Sequence, residues 1–170
     1  MKKMMRNMRF VAIVALLVAM SSCSSDSAEG SESPATAEAV VANYNYNDSE
    51  IESMKLINDY RISIGLNALK GINHVSFKCE EHNKYMIANN VVDHNDFTSR
   101  SNNIMSVLGA KKVGENVAYN YKTSEAALRA WLDSPGHKAN IEGDYTHFGL
   151  SVSIDPNTGK KYYTNIFVKM

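Results

Sequence analysis

Near its C-terminal end the chain changes period, and that change limits the fold more than any other feature. The stretch FGLSVSI alternates Phe148, Leu150, Val152 and Ile154 with Gly149, Ser151 and Ser153, the two-residue repeat of a strand with one apolar face. Residues 162–168, YYTNIFV, are rich in aromatic and β-branched side chains, which suit a pleated surface. The DPNTG segment between them, Asp155 to Gly159, is built of turn formers, so the two runs are expected to pair as an antiparallel hairpin.

Upstream of residue 140 the apolar spacing is helical instead. Ser49 and Glu52 fit a capping box, and Ile51, Met54, Ile57, Arg61 and Ile64 follow at helical steps, with Arg61 at the edge of the buried face and the helix ending near Gly65. Val75, Cys79, His82 and Met86 share one face of a second helix. Ser101 to Leu108 reads as a third, with Ile104, Val107 and Leu108 inward, and a fourth is capped by Thr123 or Ser124, turns Ala127, Leu128, Trp131 and Leu132 inward and stops at Pro135. Helices first and strands late give an α+β class, with helices packed on an antiparallel sheet.

The first residues belong to a different kind of segment. Met1 to Arg9 carries Lys2, Lys3, Arg6 and Arg9 without an acid, and Phe10 to Met20 is an unbroken apolar run that closes on Ser21, Ser22 and Cys23. A run that short falls well below the roughly 20 residues a membrane-crossing helix needs, so residues 1–22 read as a signal peptide. The small residues before Cys23 resemble a bacterial lipobox, in which the cysteine becomes acylated and tethers the chain to a membrane. Residues 23–46 then read as the lipidated cysteine and a flexible tether, because Ser, Ala and Glu dominate and no large apolar side chain precedes Val40. The domain proper is expected over residues 47–170.

The whole chain holds 18 basic and 18 acidic residues; loss of the leader removes four basic ones and no acid, leaving 14 against 18. A mildly acidic exported chain with no basic patch argues against nucleic acid as a partner. With Cys23 acylated, Cys79 is alone, so no internal disulfide can form and the core must hold the fold.

Several side chains could carry chemistry. In WLDSPGH, residues 131–137, a proline and a glycine stop a helix just before His137, so the turn sets where that imidazole points. His94 lies in the polar loop DHNDF, and Glu115 stands between Gly114 and Asn116, a setting that fits a turn. His82 is expected at the core edge, His147 at a strand start, and His74 at the surface. Two imidazoles and a carboxylate can bind zinc or copper if the fold brings them together. Their spacing matches no local metal motif, and no serine occupies a G-x-S-x-G turn.

Five blocks, in order, resemble the bacterial branch of the CAP superfamily, also called SCP-like domains: residues 57–69, 86–94, GENVAYNY at 114–121, AALRAWLDSPGHKANI at 126–141 and YTHFGLSVS at 145–153. The resemblance implies a three-layer α-β-α sandwich with an antiparallel sheet. It also implies a cleft lined by histidines and glutamates that in some members holds a divalent metal, with His94, Glu115 and His137 as its members here. Ser134, next to Asp133, stands where many relatives carry a second glutamate, and Asp144 where they carry their second histidine. The function this implies is an extracellular or envelope-bound binding module for a lipid, sterol or protein ligand. A metal-dependent hydrolase or protease is the alternative, with the same three residues as catalytic candidates, and a purely structural surface protein is a third reading.

Overall fold

The structure, a computed structural model, describes residues 39–170. The expected signal peptide, the expected acylation at Cys23 and the part of the expected tether up to residue 38 fall outside the described residues. The chain runs α1 (Asp48–Ser63), β1 (Lys70–Gly71), α2 (Asn73–Asn89), α3 (Phe97–Leu108), β2 (Lys112–Tyr119), α4 (Ser124–Asp133), α5 (Pro135–Ile141), β3 (His147–Ile154) and β4 (Lys161–Lys169).

The hairpin anticipated from the period change is β3–β4, antiparallel from His147↔Val168 to Ile154↔Lys161. β2 adds antiparallel to the other side of β4, and β1 pairs with β3 in parallel over two residues, giving the order β1-β3-β4-β2. The sheet is therefore mixed, with three long antiparallel strands and a short parallel edge. Both of its faces are covered. Phe148, Leu150, Val152, Tyr163 and Phe167 pack with Ile57 of α1, Trp131 of α4 and Ile141 of α5. On the opposite face Ile166 and Val168 pack with Val75 and Cys79 of α2 and Ile104 of α3. This is the three-layer arrangement, and it explains why β4 is buried from Tyr162 to Val168 on both sides.

Helix α2 lies against β3 at Gly149, where a Cβ would meet the backbone of Val75 and Ser76. Only glycine permits that approach. The α2 face anticipated from spacing holds, with Val75, Cys79, His82 and Met86 all buried, and burial pushes the Cys79 thiol well above its ordinary pKa.

Five expectations need correction. The capping box of α1 is Asn47 with Glu50, not Ser49 with Glu52: the Asn47 side chain accepts from Glu50 N and the Glu50 carboxylate from Asn47 N. The inward face of α1 is Glu50, Ser53, Ile57 and Arg61, while Ile51 and Ile64 are exposed. Arg61 is fully buried, because its guanidinium donates to the carbonyl oxygens of Asn67, Ile141 and Gly143. Residues 41–46, read as tether, lie against the domain: Tyr44 donates to Glu50, Tyr46 bonds Asn73 and Ser76, and the Val41 amide donates to His74 Nδ1. His74 is consequently buried rather than at the surface, with Nε2 facing Asn103 Oδ1 at 2.9 Å.

Candidate functional site

Glu115 lies in strand β2, paired with Ile166, and not in a turn. Gly114 to Ala118 are all buried, so neither alternation nor a polar loop marks the strand in the sequence. β2 is an edge strand, and its outward carbonyls are covered by side chains from the two helices that follow. Trp131 Nε1 of α4 donates to Val117 O at 2.9 Å, and Asn140 Nδ2 of α5 reaches Glu115 O at 3.1 Å and Asn116 Oδ1 at 2.8 Å. Asn116 Nδ2 in turn donates to the carbonyl of His137 at 3.0 Å. A Cβ on Gly114 would meet the Tyr145 hydroxyl and the Asn140 amide. The GEN block and the W-x-x-S-P-G-H-x-x-N block thus form one joint, which closes the open edge of the sheet.

Pro135 does not simply stop a helix. Ser134 closes α4 and precedes α5, which begins at Pro135, where proline's missing N–H would have had no helical partner and its fixed φ suits the first turn. His137 is the third residue of α5, half-buried, and lines a cavity of about 380 Å³ with Val117, Tyr119, Tyr121, Trp131 and Ser134. Burial, and then the nearby charge of His94, hold its pKa below the ordinary imidazole value. His94 and His137 are therefore brought into electrostatic reach of each other.

Glu115 faces the α2/α3 side, its side chain 1 % exposed. His94 Nδ1 donates to Oε1 at 2.8 Å from a half-exposed ring. Arg100 of α3 also holds this carboxylate: Nε donates to Oε2 at 3.0 Å and Nη2 to Oε1 at 2.9 Å, while Nη1 donates to Asn95 O. Nothing near Arg100 in the sequence signals this role. His82 is buried as expected and fixes the loop before His94, its Nε2 at 2.8 Å from Asp93 O; burial lowers its pKa.

The donors do not fit a metal as arranged. Both oxygens of Glu115 already face a guanidinium, and among the described residues no three His, Cys, Asp or Glu side chains stand together to hold an ion. Asp133 is exposed and lines a neighbouring groove with Arg129 and Glu125, while Ser134 is the one of the pair that reaches the His137 cavity. Asp144 pairs with Lys169 at the surface, 80 % exposed, and that lysine lowers its pKa.

The cysteine-rich secretory protein family, CAP, matches residues 54–168. The chain belongs to this family. Among relatives, the Bacillus subtilis membrane protein YlbC is 34 % identical over 125 residues, which span 71 % of this chain and 34 % of YlbC. YkwD of the same organism is 32 % identical over 128 residues, 71 % of this chain and 50 % of YkwD. The chain thus matches from a third to half the length of these relatives. An extracellular SCP-domain protein of Bacillus anthracis shares the CAP fold at a TM-score of 0.63 and 26 % identity, over 72 % of this chain and 40 % of that one.

Proposed function

We propose that this CAP domain is an exported binding module, tethered to the cell envelope through acylated Cys23, that holds an apolar ligand with a polar group in the cavity beside His137. The cavity carries the reading. Its walls are Val117, Tyr119, Tyr121 and Trp131, with His137 and Ser134 as polar contacts, the composition of a site that binds by apolar contact and orients by a few polar atoms. A lipid or sterol has that chemistry. The basic, then apolar, then small-residue leader supports export and anchoring, and so do the names of two relatives, a membrane protein and an extracellular one.

Hydrolysis, the alternative, is the weaker reading because of Arg100. A glutamate that takes a proton from water needs an oxygen the water can reach, and the Glu115 side chain is 1 % exposed with Arg100 and His94 on its two oxygens.

Trp131 is the one tryptophan of the chain, so its fluorescence reports the cavity directly. Titration with a brominated fatty acid and a brominated sterol is expected to quench it saturably, with His137→Ala weakening the binding. Absence of quenching in the folded protein would sink the cavity reading.

A further inference from the structure

A second concavity of about 320 Å³ lies between α2 and α3 and is lined in part by Arg100. Its lining differs in kind from the cavity beside His137. It contains no aliphatic side chain, and every residue in it, from Lys78 through Tyr85 and Asp96 to Asn103, carries a hydrogen-bonding group.

The charges there are matched locally. Lys78 bridges Glu81 at 2.9 Å and Arg100 holds Glu115, while Asp96 adds a further negative charge. A site so balanced offers no surplus positive charge to an anion. It does offer donors and acceptors side by side: the guanidinium of Arg100, the amide of Asn95, the hydroxyl of Ser99 and the carboxylate of Asp96. Asp96 stands at the N-cap of α3 in the left-handed region, φ 56°, and makes no capping bond, so its carboxylate is not consumed by the helix.

An aromatic wall completes the pocket. The rings of His82 and Tyr85 stack at 5.9 Å with 10° between their planes. His82 is 2 % exposed and fixed through Nε2 to Asp93 O, while its Nδ1 is buried without a partner. Tyr85 is thereby a half-buried ring, stacked on a fixed imidazole, beside the polar groups. A sugar presents C–H faces to such a ring and hydroxyls that both donate and accept to the groups around it.

We infer that the α2–α3 pocket is a second binding site, independent of the His137 cavity, for a neutral saccharide of one or two rings. Its volume lies at the small end of ligand pockets.

The test is calorimetric titration of the purified protein with N,N′-diacetylchitobiose and with maltose, beside acetate and inorganic phosphate at matched ionic strength. Saturable binding of a saccharide is expected, weakened about tenfold by Tyr85→Ala and by Asp96→Asn, the scale of one lost contact. Thermal melts confirm that each variant is folded. Tyr85→Ala is expected to leave the quenching of Trp131 by brominated lipid unchanged, which separates this site from the cavity. The inference is overturned if neither saccharide binds the folded protein, if binding survives both substitutions, or if only the anions bind.

Discussion

Arg100 grips Glu115 side-on, Nε to Oε2 at 3.0 Å and Nη2 to Oε1 at 2.9 Å, across the junction of α3 with the edge strand β2. The Arg100 side chain is 10 % exposed and that of Glu115 1 %, so little solvent screens the pair. Removal of either partner leaves a buried charge with its compensation gone, at a cost of about 3–5 kcal/mol. Arg100→Ala and Glu115→Ala should each lower the urea midpoint by that equivalent, while the double variant Arg100→Met with Glu115→Gln should recover part of it. A double variant no better than the singles would show that the pairing is not what holds this face.

The joint between the two signature blocks gives a sharper expectation. Trp131→Phe keeps an aromatic ring but leaves the Val117 carbonyl without the indole N–H, and an abandoned buried acceptor costs about 1–3 kcal/mol. Gly114→Ala forces the Tyr145 hydroxyl and the Asn140 amide apart, with a similar cost of about 1–3 kcal/mol from overpacking. Chemical denaturation of the two variants measures both. Values near zero would mean that these motif residues do not serve the fold.

Much of this was legible from residue patterns, and the failures have physical reasons. The β3–β4 hairpin announced itself because DPNTG is a compact turn between two strand-like runs, and the inner face of α2 because its apolar residues recur at helical steps. β2 stayed hidden because both of its faces are covered, which places Glu115 and Asn116 in a buried run that imitates neither strand nor loop. The face of α1 was misread because Glu50, Ser53 and Arg61 are buried through partners up to a hundred residues away. His94 and Glu115, singled out from their local setting and from family resemblance, stand in contact. Arg100, which determines what Glu115 can do, sits in a segment, TSRSN, with no pattern of its own.

Stability should depend on pH through buried imidazoles. His82 and His137 are held below the ordinary value near 6.5, each first by burial, and His147 is lowered in the same way and by Lys70. The unfolded chain then binds more protons than the native one as pH falls below about 6.5, so stability is full above that value and is lost as pH drops through the native pKa values. Urea unfolding at pH 7 and pH 5 should show the lower midpoint at pH 5, and His82→Gln should reduce the difference. Equal midpoints would contradict the burial of these rings.

One carboxylate contributes to holding the segment before α1. Glu50 Oε1 accepts from the Tyr44 hydroxyl at 2.9 Å, the Ser151 hydroxyl at 3.0 Å and the Val152 amide at 2.9 Å. Tyr44→Phe removes one donor to a buried charge and should cost about 1–3 kcal/mol. It should also speed hydrogen exchange at the Val41 amide, which is bonded to His74. Unchanged exchange there would mean that the Tyr44 contact does not hold the strap.

Both oxygens of Glu115 are engaged by Arg100 and His94, an arrangement that does not suit a metal ligand. Calorimetric titration of the purified protein with zinc, beside His94→Ala and His137→Ala, tests it most directly. The expected result is no stoichiometric uptake by the folded wild type; one-to-one binding that both substitutions abolish would show that these side chains do hold a metal ion and would restore the hydrolytic reading.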